Sequence, residues 1–327
     1  MQPINRREWL GVCAGGGVGL LPVLGAGQAA AQGWMPNPFA RRDADPFATL
    51  LTELSGVTSA STTQFATPLP DGETLLVRAT LPASPPERMG LLLLVPDTGV
   101  EPLRYDLLAA GIASQGYLVL APVCHNVASD TPAQREHRRV AECRLILDRT
   151  LAVRSVLGAS AERLDPNRIG SIGHGDGAWT ALGLIGWGRG LRPDATASDG
   201  RVSAAVGLLP GQAAPARIDS QAVDRVSGQG LVVGRIDALP TPPEGSGLWG
   251  VSLHPDSPNF GGLIGAQGRA RADDARRERP ALTAAMAVST LYLDWVLKEN
   301  TESGRALAAL DGRAVDGLVR PLAVRKA

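Results

Sequence analysis

Leu91-Leu92-Leu93-Leu94-Val95 is an unbroken apolar run bounded by turn residues. A run with no polar alternate positions suits a strand buried on both faces, inside a sheet that helices cover on each side. Runs of the same kind return at Tyr117–Ala121, Ile169–Ile172, Arg201–Leu209, Leu231–Val233 and Trp249–Leu253. Helical patterns lie among them, at Tyr105 to Gln115, 133–157 and Ala178–Trp187, and a long one from Pro280 to Glu299 closes the core. Two strand-like stretches come earlier, Thr62–Thr67 and Glu73–Leu81, separated by the turn signal Pro70-Asp71-Gly72. Strands alternating with helices predict an α/β fold with a mainly parallel central sheet and helices on both faces. With no internal repeat and no second periodic unit, residues 60–327 read as a single domain.

The segment before it reads differently. Asn5-Arg6-Arg7-Glu8-Trp9-Leu10 resembles the twin-arginine export motif, a weakly apolar, Gly-rich run follows from Leu10 to Leu24, and Ala29-Ala30-Ala31 offers small residues to a signal peptidase. That run is too short and too rich in glycine for a bilayer span, which needs about 20 mostly apolar residues. Residues 1–31 are therefore expected to be a cleaved signal, leaving a periplasmic or secreted protein with no stable membrane anchor. Residues 32–59, which mix Pro, Arg and Asp, read as a loose N-terminal arm. Cys124 and Cys143 remain after cleavage; a disulfide is permitted in that compartment, but Cys143 lies in a helical pattern and reads as a buried free thiol.

The chemistry is concentrated in Asp165-Pro166-Asn167-Arg168-Ile169-Gly170-Ser171-Ile172-Gly173-His174-Gly175-Asp176-Gly177-Ala178. Gly173 and Gly177 stand two residues either side of Gly175, between a buried strand and a helix. This is the spacing of a nucleophile elbow, Gly-x-Ser-x-Gly, with glycine at the nucleophile position. The segment resembles the dienelactone hydrolase and platelet-activating-factor acetylhydrolase-like esterases, a group related to bacterial polyester hydrolases. The likeness extends over roughly 60–310 and also rests on Pro96-Asp97-Thr98-Gly99, Ala113–Pro122, Ala204–Pro210 and Tyr292–Leu297.

The resemblance implies an α/β-hydrolase fold and a Ser-His-Asp site. It places the acid at Asp237, after Leu231–Val233, and the histidine position at Asn259, by register with Phe260-Gly261-Gly262; His254 is the rival histidine position. The backbone N–H of Asp176, with a second near Thr98 or Gly99, would form the oxyanion hole. Asp97 departs from the pattern, since a carboxylate beside an oxyanion site opposes developing negative charge. Gly175 supplies no nucleophile and Asn259 no base, so the expectation is an esterase-like pseudoenzyme. The alternative is an active carboxylic-ester hydrolase with an unconventional site, using His254 with Asp176 or water.

The remaining features narrow the partners. Lys+Arg 32 balances Asp+Glu 32, with no basic tract, so nothing suggests nucleic acid or an anionic membrane surface. The cysteines and histidines lack metal-ligand spacing, and there is no phosphate-binding Gly-x-x-x-x-Gly-Lys, so neither a metal nor a cofactor is expected. The expected partner is an unidentified small molecule or ester-like ligand.

Overall fold

The apolar run at Leu91 forms β3 (Met89–Val95), every residue of it buried. β4 (Tyr117–Pro122), the run at Tyr117, is buried throughout as well. The two pair in parallel, as they must to be covered on both faces. The computed structural model describes residues 46–55, 59–70, 72–125, 127–152, 154–187, 198–208, 227–235, 248–253, 272–310 and 325–326. From Ala44 on, the chain is one unit.

The other strands are β1 (Ala60–Pro68), β2 (Thr74–Pro82), β5 (Leu164–His174), β6 (Val202–Leu208), β7 (Gln229–Arg235), β8 (Leu248–Leu253) and β9 (Arg325–Lys326). They form one mixed sheet in the order β1-β2-β4-β3-β5-β6-β7-β8-β9. From β4 to β8 every neighbouring pair is parallel. The β1–β2 hairpin is antiparallel, as is its attachment to β4, and β9 adds an antiparallel edge beside β8.

The helices are α1 (Pro46–Ser55), α2 (Asp106–Ser114), α3 (Pro132–Ala152), α4 (Asp176–Gly183), α5 (Ala272–Leu297) and α6 (Thr301–Ala308). Strand alternation divides the core into two layers. Leu92 and Leu94 pack on one face with Phe47 and Leu54 of α1, Leu108 and Ile112 of α2, and Leu291 and Tyr292 of α5. Leu91, Leu93 and Val95 pack on the other with Val140 and Leu147 of α3 and Leu182 of α4. The molecule is thus an α/β sheet with helices on both faces.

Four elements depart from the expectations. The arm is not loose throughout, because Pro46–Ser55 is helical and buries Phe47, Leu50 and Leu54. The long helix begins at Ala272 and runs through Pro280 instead of starting there. α6 and the two-residue β9 have no counterpart in the expected elements. Glu278–Leu297 is long and apolar enough to cross a bilayer by length and composition, but it is a core helix, with 78% of that window buried. The signal and the rest of the arm to Asp45 lie outside the described residues.

Candidate functional site at the β3–β5 crevice

The chain leaves β3 for α2 on one face of the sheet and leaves β5 for α4 on the other. Adjacent parallel strands with diverging connections open a crevice at their carboxyl ends, the usual place for a ligand in an open α/β sheet. Val95 lies opposite Gly173 in the register, so the residues after each strand face one another there. On one side stand Pro96, Asp97 and Thr98; on the other, His174, Gly175 and Asp176.

The turn from β5 into α4 is tight, and its glycines explain how. A Cβ on Gly173 would run into the Gly177 carbonyl, and one on Gly177 would run into the backbone of Val95 and Pro96. Gly175 at the tip has φ 57 and ψ −125, in the positive-φ range that side chains rarely adopt. Gly175 N–H donates to the Leu208 carbonyl at 3.3 Å, and its own carbonyl accepts from Ala178 N–H at 3.1 Å, so the tip is fixed from both directions.

Asp97 fills the space over that tip. A Cβ on Gly175 would lie 2.5 Å from Asp97 Oδ1 and 2.6 Å from Oδ2. Asp97 Oδ1 accepts from the backbone N–H of Asp176 at 2.8 Å and from that of Thr98 at 2.8 Å. These are the Asp176 N–H and one of the two N–H groups, Thr98 or Gly99, that the resemblance would assign to an oxyanion hole. Gly99 lies in the exposed turn beyond, at φ 73. Both bonds have the length of charge-assisted contacts.

A second layer holds this arrangement. Arg139 of α3 is only 2% exposed. It donates through Nη1 to Thr98 Oγ1 at 3.1 Å and through Nη2 to the Pro96 carbonyl. Thr98 Oγ1 in turn donates to Asp176 Oδ2 at 2.9 Å, tying the two sides of the crevice together. The backbone N–H of Asp97 donates to Tyr105 Oη at 2.8 Å, and Tyr105 Oη meets His174 Nδ1 at 3.2 Å. Burial keeps the Tyr105 hydroxyl protonated well above the ordinary tyrosine range.

Burial lowers the His174 pKa to about 4, against an opposing pull from the Asp97 carboxylate. A ring neutral when folded and titrating near 6.5 when unfolded binds its proton first in the unfolded chain. Its contribution to stability is complete above pH 6.5 and is lost as pH falls from 6.5 towards 4, by up to about 3 kcal/mol. Urea unfolding of wild type and His174→Gln across that window should give a shallower acid slope for the variant. Equal slopes would mean that His174 is not the residue titrating.

A cavity of about 130 Å³ adjoins the crevice, lined among others by Asp97, Val100, Glu101, Val123, Cys124 and Arg139. It holds a few atoms, well short of the roughly 300–1,000 Å³ of sites for drug-sized ligands. Burial raises the Cys124 pKa to about 11, which keeps the thiol protonated. The neighbouring His125 is engaged by carboxylates: its Nδ1 meets Glu142 Oε1 at 2.8 Å and its Nε2 faces Glu73 Oε2 at 3.4 Å. Cys124 and Cys143 are both free thiols.

The crevice thus brings together Gly175, Asp176 and Thr98 of the expected site. Asp237, His254 and Asn259 lie outside the described residues, beyond the ends of β7 and β8. Arg139 and Tyr105 are positioning residues that the sequence reading missed, having no motif of their own. Among the described residues no group of three or more metal-ligating side chains is present. No protein-family model matches the chain. No curated protein matches it either.

Proposed function

We propose that this chain is an exported α/β-hydrolase-fold protein of the dienelactone hydrolase-like, esterase-like kind that has lost Ser-His-Asp catalysis and retains its crevice for binding. The strand order, with an antiparallel pair leading into a parallel series, supports the fold, as does a tight strand-to-helix turn at the β3–β5 crevice. One observation carries the loss of catalysis: the Asp97 carboxylate accepts both backbone N–H groups that an ester's developing oxyanion would need, beside a tip residue with no side chain. Acyl transfer requires a nucleophile and an open anion site; Gly175 has no side chain to attack with, and Asp97 occupies the two donors.

The reading is tested on purified protein with short p-nitrophenyl esters and a fluorophosphonate probe. Hydrolysis no faster than that of a protein without a hydrolase site, and no covalent label, are expected. Turnover that disappears on His254→Ala would overturn it in favour of an unconventional hydrolase. Export rests on Arg6 and Arg7: changing both to lysine should retain the precursor inside the cell, and normal export of that variant would remove this part of the proposal.

A further inference from the structure

We propose that β1 is a homodimer interface: two copies of the chain join their β1 strands antiparallel about a two-fold axis at Thr63, making one continuous sheet. β1 is one edge of the nine-stranded sheet, and among the described residues no strand pairs with its outer side. Ser61, Thr62, Thr63, Gln64 and Ala66 are exposed.

The pairing with β2 decides which backbone groups of β1 are free. The register is unbroken from Ala60 opposite Pro82 to Pro68 opposite Thr74. A bond beyond each end marks its phase: Ala83 N–H donates to the Ser59 carbonyl at 3.1 Å, and Leu69 N–H to the Glu73 carbonyl at 2.8 Å. Bonded and non-bonded pairs alternate along an antiparallel ladder, so Ser61, Thr63, Phe65 and Thr67 bond to β2. The N–H and C=O groups of Ala60, Thr62, Gln64 and Ala66 therefore turn outward. With the axis at Thr63, Ala60 meets Ala66 of the second copy and Thr62 meets Gln64 of the second copy, so each of these N–H groups finds a carbonyl. Pro68, which has no N–H to donate, falls outside this register.

Exposed edges are normally blunted by shortness, charge, proline or a bulge. The opposite edge follows that rule, since β9 is only Arg325 and Lys326. β1 has nine residues, no charged side chain and no register shift. Its neutrality lets like strands meet without repulsion and offers a charged peptide no counter-charge. Apolar surface lies beside it. Ala66 stands opposite Leu76, whose carbonyl accepts from Val123 N–H, and Leu76 and Val123 are 42% and 38% exposed.

The test is sedimentation of the purified full chain at micromolar concentration, with amide hydrogen exchange along β1. Wild type should sediment as a dimer, and dilution should deprotect the outward amides of Thr62, Gln64 and Ala66. Gln64→Pro leaves the β2 ladder intact, since the Gln64 N–H points away from it, and should weaken the dimer at least about tenfold with native circular dichroism retained. Thr63→Cys sets two thiols across the axis, at a non-bonded pair with Cα atoms ~4.5 Å apart, and should form an intermolecular disulfide in oxidised glutathione. Ser61→Cys, which is offset from its symmetry mate, should not. The cysteine pair does not depend on the proline variant folding. A chain that stays monomeric, a folded Gln64→Pro dimer as tight as wild type, or equal crosslinking of the two cysteine variants overturns the proposal. Protected outward amides in a monomer would give the edge to another segment of the chain, and would overturn it too.

Discussion

Gly175→Ser combined with Asn259→His should remain a very poor esterase while Asp97 is present, and adding Asp97→Gly should raise its kcat/KM by about 10²–10³ or more. Gly175→Ser alone has a hydroxyl and no base, so it should show almost nothing. On the proposed reading the double variant adds an imidazole that Asp237 would orient, and should exceed either single change. Its transition state would still meet a carboxylate on the Asp176 and Thr98 N–H groups. Losing one oxyanion donor elsewhere costs roughly 10²–10³ in kcat, and here both donors are taken and a negative charge is added. Fluorophosphonate labelling and p-nitrophenyl acetate turnover across the series read the outcome. A double variant as fast as the triple would mean that Asp97 swings clear without cost. Activity in Gly175→Ser alone, abolished by His254→Ala, would put the histidine position at 254.

Gly175→Ala should destabilise the protein by about 2–4 kcal/mol, a large share of an ordinary domain's stability. Two effects add. A residue with a Cβ held at φ 57 and ψ −125 carries backbone strain of roughly 1–3 kcal/mol. The new Cβ would also sit 2.5 Å and 2.6 Å from the Asp97 oxygens. The carboxylate must then leave two charge-assisted bonds, each typically worth about 1.5–3 kcal/mol. Side-chain adjustment recovers part of that, and the stiffer unfolded chain returns about 0.4–1 kcal/mol. Urea unfolding of Gly175→Ala, Asp97→Ala and the pair measures it. The double variant should be clearly more stable than the sum of the singles predicts, since the second change removes the clash. A Gly175→Ala protein more stable than wild type would mean that position 175 has an ordinary negative φ.

What the sequence discloses follows the range of the interaction concerned. β3 and β4 are readable because burial on both faces leaves no polar position in Leu91–Val95 or Tyr117–Ala121. The tip at Gly175 is readable because the close approach at Gly173 and Gly177 admits only the smallest residue at fixed spacing. α1 is missed because its apolar positions, Phe47, Leu50 and Leu54, are few and follow a Pro- and Arg-rich stretch. Pro280 looks like a helix start, because proline is favoured in a first turn, yet the helix passes through it. The seat of Asp97 lies beyond local reading. It depends on β3 lying beside β5, and on an arginine 41 residues further along holding Thr98. Sequence marks Asp97 as a departure from the resemblance, and the fold seats its carboxylate on the Thr98 and Asp176 N–H groups.

If the proposed reading holds, Gly175 and Asp97 also guard each other along a mutational route between this protein and an active hydrolase. A change at Gly175 made first introduces a strained side chain against the carboxylate and yields no turnover. A change at Asp97 made first forfeits two charge-assisted bonds and exposes donors that have nothing to stabilise. Each first step is a loss, and turnover would still wait on a base supplied elsewhere. On the reading proposed above, such a pair would act as a ratchet against selection for activity working one substitution at a time.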